Sequence, residues 1–146
     1  MKKLFLSTLA ACVMVSTSVI ADPIADRKAV MKNVGMAMGT LVKMVKGQMD
    51  YDPNAALLAF AVMNNASHGL TSLFPAGSET GGESTAHAKI WSDMGGFEAA
   101  VGKFNADTAA AIAAKPADAG AFKAAFGQVA GNCKSCHETY RLPPKQ

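Results

Sequence analysis

The chain has 146 residues, enough for one domain with a buried core that needs no disulfide staples. Half of the residues are hydrophobic and only 7% are aromatic, while Ala and Gly are abundant. This composition excludes intrinsic disorder and favours closely packed helices over a β-sandwich. The formal net charge of +3 gives no sign of nucleic-acid binding.

Residues 1–21 have the order of a secretory signal peptide, with two lysines, an apolar run and small residues that end at Ala21. We expect cleavage after Ala21, which leaves 12 basic and 11 acidic side chains and a net charge of +1. No later stretch has the roughly 20 apolar residues needed to span a bilayer. The sequence therefore predicts a protein exported to a bacterial periplasm, with residues 22–146 forming one soluble domain.

An alternative lies within the same segment, because "LAAC" at residues 9–12 resembles a bacterial lipoprotein signal. Processing there would make Cys12 a lipidated N-terminus and anchor the protein to a membrane. The apolar run at 13–20 argues against this, since a polar tether should follow a lipidated cysteine. After cleavage at residue 21, Cys133 and Cys136 are the cysteines that remain of the three.

Four segments with helical apolar spacing follow, with no alternating strand pattern between them. We expect helices over about 24–46, from about 53 to before 74, from about 85 to 116, and over about 118–140. Asp22 and Pro23 form an N-cap and first-turn pair, and Gly47 ends the first helix. Four helices with short connections predict an all-α, antiparallel up-down-up-down four-helix bundle.

The motif that carries chemistry is "CKSCH" at residues 133–137. On a helix, Cys133, Cys136 and His137 share one face. A redox dithiol belongs at a helix N-terminus beside a strand, and a structural zinc site needs a fourth ligand at a spacing that the chain does not offer. Haem attachment needs only two thiols for the porphyrin vinyl groups and an imidazole for the iron. These residues therefore favour one covalently bound haem c.

A haem motif at the C-terminal end of a four-helix chain resembles the class II cytochromes c, cytochrome c prime and its low-spin relatives. The resemblance covers essentially the whole mature chain. It rests on Arg27 in the first helix and on "KGQMDYD" at 46–52, "LFPAGSETGG" at 73–82, "IWSD" at 90–93 and "CKSCHETYR" at 133–141. It implies redox partner proteins in the periplasm and no enzymatic activity. Because family members often form dimers through their first helices, a homodimer is among the expected assemblies.

The axial ligand opposite His137 decides between two functions. Met31 lies on the inward stripe about 10 Å into the first helix, and His137 lies about 6 Å from its own helix end, so their depths in the bundle match. The resemblance points to the same residue, because the position four after Arg27 faces the open side of the haem in this family. A ligating Met31 implies a low-spin carrier of single electrons. A Met31 that only covers the haem implies a five-coordinate iron that binds nitric oxide or carbon monoxide.

Other side chains have smaller expected roles. Arg27 and Arg141 are candidates for binding the haem propionates, since a guanidinium matches a carboxylate, and solvated surface positions are the alternative. His68 is a further candidate for the sixth ligand, but its position suits a helix-end surface residue better. Met38 and Met63 are interpreted as core residues.

Overall fold

The computed structural model describes residues 22–143. The long helices are α1 (Pro23–Val45), α2 (Pro53–His68), α4 (Met94–Ala114) and α5 (Ala119–Tyr140), with a short α3 (Lys89–Ser92) and a 3₁₀ turn at Thr71–Leu73. The expected signal peptide, with Cys12, lies outside the described residues. Among the helices of residues 22–143, none is both long and apolar enough to cross a membrane.

The four long helices form a closed ring in which each packs against two neighbours. α1 contacts α2 and α5, and α4 contacts the same two helices on the other side. The links from α1 to α2 and from α4 to α5 are short, so each of these pairs runs antiparallel. The link from α2 to α4 is long, from residue 69 to residue 93. There the Tyr51 hydroxyl just before α2 donates to the Pro116 carbonyl oxygen just after α4 at 2.6 Å, so these two helices are antiparallel as well. The predicted all-α, up-down-up-down bundle is confirmed, and its topology places the beginning of α1 at the same end as the last turn of α5.

Aspartate N-caps explain why the helix starts could be located from the sequence. Asp22, Asp52 and Asp118 each accept hydrogen bonds from two backbone N–H groups of the first turn, at 2.8–3.2 Å. Each cap contributes about 0.5–2 kcal/mol relative to alanine. A proline follows the caps of α1 and α2, at a position where a missing N–H costs nothing.

The expectation of one helix from about 85 to 116 is wrong over its first turns. The segment before α3 is held to the end of α5, because the His87 N–H donates to the Tyr140 carbonyl oxygen at 2.9 Å. α3 is then a single turn that ends at Ser92, and the next residue, Asp93, has a φ of −139°, which is not helical. The apolar spacing runs through this break, since Ile90 and Phe97 pack in the same cluster. The period alone therefore hides the interruption.

Two apolar clusters make up the interior. The larger fills the middle of the bundle, and its fully buried members are Leu41, Ala56, Phe60, Met63, Phe122 and Val129. The smaller lies at the end of the bundle where α1 begins, and consists of Leu70, Ile90, Phe97, Val101 and Tyr140. Met31 is half-buried and packs against both clusters, so it stands at their boundary.

The start of α4 is tied to the end of α5 through Asp93. Its carboxylate accepts hydrogen bonds from the Gly96 N–H and from the Tyr140 hydroxyl, both at 3.2 Å. These oxygens leave no room at Gly96, where a Cβ would lie 2.5–2.7 Å from them. At the adjacent Gly95 a Cβ would have no atom within 4 Å. Only the second of the two glycines is therefore required by packing.

Alanine substitution of these two neighbouring glycines should change stability in opposite directions. Gly95→Ala should raise the free energy of unfolding by up to about 1 kcal/mol, because alanine favours a helix. Gly96→Ala should lower it by about 1–3 kcal/mol, because the Asp93–Tyr140 hydrogen bond must move to admit a methyl group. Urea unfolding of the haem-loaded proteins measures both. Equal stabilities of the two variants would show that this contact is not made.

Candidate haem site

A groove of about 570 Å³ lies at the end of the bundle where α1 begins and α5 ends. This volume is typical of sites that hold a cofactor. Its walls come from α1, from α5 and from the chain between α2 and α4. The lining is largely apolar, and its apolar side chains are Met31, Val34, Met38, Leu70, Phe74, Ala86, Ile90, Phe97 and Tyr140.

The predicted motif of α5 opens onto this groove. Cys133, Cys136 and His137 all line it, as their spacing on one helical face requires. Both cysteines are half-buried free thiols. Among the described residues, no three His, Cys, Asp or Glu side chains converge so as to hold a metal ion by themselves. Two thiols and an imidazole beside an apolar groove fit a porphyrin that brings its own iron.

The protonation of the motif argues against a redox-active dithiol and leaves the imidazole free to bind a metal. Burial raises the pKa of both thiols, and the charge of Cys133 raises the pKa of Cys136 further. Both thiols are therefore protonated at neutral pH, whereas a redox-active dithiol has a lowered pKa. Partial burial lowers the pKa of His137, and the nearby Arg141 guanidinium lowers it further. The imidazole is neutral at pH 7 and keeps a lone pair for a metal.

Met31 shares the groove with this motif. It reaches the groove from α1, so the structure brings together the thiols, the imidazole and the thioether that sequence spacing placed at similar depths. Met38, two turns further along α1, lines the groove as well and is only half-buried, so it is not simply a core residue. His68 does not line it. That side chain is exposed at the end of α2, with Nε2 at 3.3 Å from Asn105 Nδ2.

Arg27 lines the same groove but is only 4% exposed. Its Nη1 donates to the Leu73 carbonyl oxygen at 3.4 Å and to Ser78 Oγ at 3.1 Å. Its Nη2 donates to the Ser78 carbonyl oxygen at 2.8 Å and to Ser84 Oγ at 2.7 Å. The guanidinium also lies 4.9 Å from the ring centroid of Phe74. A buried cation on α1 therefore holds the loop that follows the 3₁₀ turn.

Glycines allow this loop to follow its path. Gly77, Gly81 and Gly82 have φ values of 86°, 106° and 51°, in the left-handed region that other residues avoid. A Cβ at Gly82 would lie 2.9 Å from Cγ2 of Ile24, so the loop passes directly against α1. In the sequence, this segment is distinguished only by its part in the family resemblance, "LFPAGSETGG" at 73–82. The hydrogen bonds from Arg27 to Ser78 and Ser84 join residues about 50 positions apart in the chain. No local sequence pattern reveals such contacts.

Replacing Arg27 by glutamine should loosen the loop over residues 73–84. The buried carbonyl and hydroxyl oxygens would lose their donors, which should lower the free energy of unfolding by about 1–3 kcal/mol. Arg141→Gln is the matched control, because Arg141 is exposed and should change stability by less than about 0.5 kcal/mol. Amide hydrogen exchange of the loop, read by mass spectrometry, should rise in Arg27→Gln alone. Unchanged exchange there would contradict the assigned contacts.

Comparisons with known proteins agree with this site. The sequence profile of the family described as Cytochrome C' matches residues 22–141. The chain is 38% identical over 144 residues to cytochrome c' of Rhodopseudomonas palustris, an alignment that covers 95% of this chain and 97% of the relative. It is 35% identical over 122 residues to cytochrome c-556 of Agrobacterium tumefaciens, covering 84% of this chain and 98% of the relative.

Solved structures share the fold. Cytochrome c' from Rhodopseudomonas palustris has a TM-score of 0.83 at 37% identity, covering 86% of this chain and 100% of that one. The nitric oxide complex of a leucine-to-alanine variant of cytochrome c prime from Alcaligenes xylosoxidans has a TM-score of 0.74 at 30% identity, covering 84% and 95%. The resemblance seen in the sequence is confirmed. The chain belongs to the cytochrome c' family, the class II c-type cytochromes, and its cofactor is one covalently attached haem c.

Proposed function

We propose that this protein is a periplasmic carrier of single electrons whose haem c is held by Cys133 and Cys136 and ligated by His137 and Met31. One observation carries the proposal, namely that α5 and α1 present the imidazole and the thioether to one groove. Both atoms are neutral ligands of the kind that c-type cytochromes use in their axial positions.

The thiols account for attachment without any redox step. Cys133 and Cys136 would hold the haem as thioethers: each S–H would add across one vinyl group, with the sulfur bonding to one vinyl carbon and the hydrogen going to the other. The cysteines stand three apart on α5, and His137 follows directly. Helical geometry therefore presents all three groups to the same face of the groove. Covalent attachment retains the cofactor in a compartment from which a dissociated haem would diffuse away.

The axial ligands set the function. When bound, the haem supplies an iron that takes up or releases one electron. The thioether of Met31 is a soft, neutral ligand that stabilises the ferrous state and so raises the reduction potential. If His137 and Met31 both held the iron, no coordination site would remain for a substrate. The protein is then a carrier rather than an enzyme.

A second function is favoured by what the relatives are called. The Rhodopseudomonas palustris relative is a cytochrome c', and a related cytochrome c prime was solved as a nitric oxide complex. On this basis the haem would be five-coordinate and bind nitric oxide or carbon monoxide, with Met31 merely covering its face. The relatives support this alternative better than they support the electron carrier. Met31 supports the carrier, because a thioether can bind iron, whereas an aliphatic side chain in its place could only block it.

The two arginines are proposed to serve the haem propionates in different ways. Arg141 is exposed at the end of α5 and lines the groove, so its whole guanidinium can pair with a carboxylate. Arg27 uses both terminal nitrogens for the loop. Its contribution to a propionate is therefore its positive charge and its Nε–H.

Location and assembly are part of the same proposal. The signal-like residues 1–21 support export, and redox proteins of the periplasm would be the partners. A homodimer through the first helices is supported by two exposed apolar side chains, Met36 on α1 at 59% exposure and Leu58 on α2 at 68%. Single exposed side chains are common on monomers, so the shared family remains the main support.

Substituting the cysteines tests the attachment. Cys133→Ser and Cys136→Ser should each leave one thioether, and the double variant should leave none. Acid–acetone extraction followed by intact mass measurement should find haem on the wild type and on both single variants but not on the double variant. Covalent haem on the double variant would contradict the assignment of the two thiols.

Leucine substitution of two methionines on α1 tests the sixth ligand. Met31→Leu keeps an apolar side chain but removes the thioether, so the low-spin spectrum should become high-spin and the reduction potential should fall. Met38→Leu is the matched control, because Met38 lines the same groove on the same helix. Visible spectra and redox titration of ferric and ferrous protein measure both effects. A wild type that is already high-spin and binds carbon monoxide readily would establish the gas-binding alternative.

A further inference from the structure

The charged side chains that line the groove all have one sign. The basic ones are Arg27, Lys28, Lys32 and Arg141. None of the 11 acidic residues of the chain lines the groove. Over residues 22–143 the chain carries 11 basic and 11 acidic side chains, since three of its 14 basic residues lie outside that range. The basic groove therefore reflects a segregation of charge, not a basic composition.

Among these basic residues, Lys28 and Lys32 are a pair of like charges with no carboxylate nearby in the part of the chain that the structure describes. They stand one turn apart on α1, both exposed, and like charges at this spacing destabilise a helix. Two other exposed lysines have a carboxylate four residues on, in the pairs Lys103–Asp107 and Lys134–Glu138. No carboxylate of the described chain lies within 4 Å of Lys28 or Lys32. Lys28 instead donates one hydrogen bond, at 3.2 Å, to the carbonyl oxygen of Gly82.

The cofactor does not account for this pair. Haem c brings two propionates, and on the proposed function, on which this inference rests, they are met by Arg27 and Arg141. Two exposed lysines then remain at the edge of the groove without an anionic partner. Gly35 lies one turn further along the same edge and also lines the groove. A Cβ at Gly35 would have no neighbour within 4 Å, so the surface beside the lysines is open to close approach.

We propose that Lys28 and Lys32 form a docking surface for the carboxylate-rich face of a soluble redox partner protein. Complementary charge raises the rate of encounter and orients the two proteins. The surface adjoins the groove of the haem, so docking there shortens the path of the electron. We call these two lysines the basic edge.

A protein partner fits the basic edge better than a lipid surface does. Membrane binding by basic residues usually takes a cluster of four to eight of them, and the basic edge has two. Insertion into lipid also needs exposed apolar side chains beside the charges. The large apolar side chains that are exposed in the described chain are Met36, Leu58 and Leu142, and none of them lines the groove.

The test compares haem-loaded variants of equal net charge on a gold electrode coated with a carboxylate-terminated monolayer, which stands in for an acidic protein face. Lys28→Gln/Lys32→Gln removes two charges of the basic edge. Lys43→Gln/Lys46→Gln removes two from the opposite end of the same helix and is the matched control. Lys28→Arg/Lys32→Arg keeps the charge. Adsorbed mass, from a quartz-crystal balance, and the haem voltammetric wave are read on each protein.

At an ionic strength of about 10 mM, where the Debye length is about 30 Å, wild type, control and arginine variant should adsorb and give a haem wave. Lys28→Gln/Lys32→Gln should adsorb about tenfold less. At about 1 M salt, where the Debye length is about 3 Å, adsorption of all four should be lost. Equal losses in the two glutamine variants, or no adsorption of the wild type, would overturn the proposal.

Two further measurements distinguish a membrane from a protein partner, and a failure of the docking surface from a failure of Met31 ligation. The wild type could bind phosphatidylglycerol vesicles in preference to the monolayer, while Lys28→Gln/Lys32→Gln does not bind them. That result would assign the basic edge to a membrane and overturn the protein partner. The visible spectrum of the adsorbing samples tests the haem independently. A high-spin spectrum with intact adsorption would sink Met31 ligation alone, and a low-spin spectrum without adsorption would sink the docking surface alone.

Discussion

The buried guanidinium of Arg27 is the interaction on which the shape of the groove depends. A cation taken out of water is costly unless its donors are satisfied. The loop satisfies them with two carbonyl and two hydroxyl oxygens, all neutral. Because these acceptors belong to one loop, the loop is held against α1, and Phe74 and Ser84 become part of the lining. Arg27, which stands one turn before Met31 on α1, thus shapes the wall of the groove that faces α5.

The opposite wall depends on the end of α5. Its helical period places the two thiols and the imidazole on one face, and the Tyr140 hydroxyl ties the last turn to Asp93 at the start of α4. The main chain adds a second tie, from the His87 N–H to the Tyr140 carbonyl oxygen. Both walls are therefore anchored to the same intervening segment. That segment positions His137 and Met31, the proposed axial ligands, relative to each other, although it supplies neither of them.

Features that depend on local spacing could be predicted from the sequence. Aspartate caps marked the helix starts, the apolar period marked α1 and α5, and the cysteine spacing marked the face that bears His137. Features that depend on contacts between distant segments could not. The break at Asp93 is hidden because the apolar period continues through it. The serine acceptors of Arg27 lie about 50 residues away. Whether Met38 packs in the core or lines the groove depends on contacts between elements, which the pattern of one helix does not show.

In the proposed function one side chain is decisive, since ligation by Met31 would make the iron an electron carrier and its absence would leave the iron open to a gas. It stands between the two apolar clusters, where a methionine packs as readily as it ligates. The most direct measurement is the proton NMR spectrum of the ferrous protein labelled with ¹³C at its methionine methyl groups. If Met31 ligates the iron, its methyl signal should be shifted far upfield by the porphyrin ring current and should vanish in Met31→Leu. A spectrum in which no methionine methyl is shifted in this way would contradict the proposed ligation.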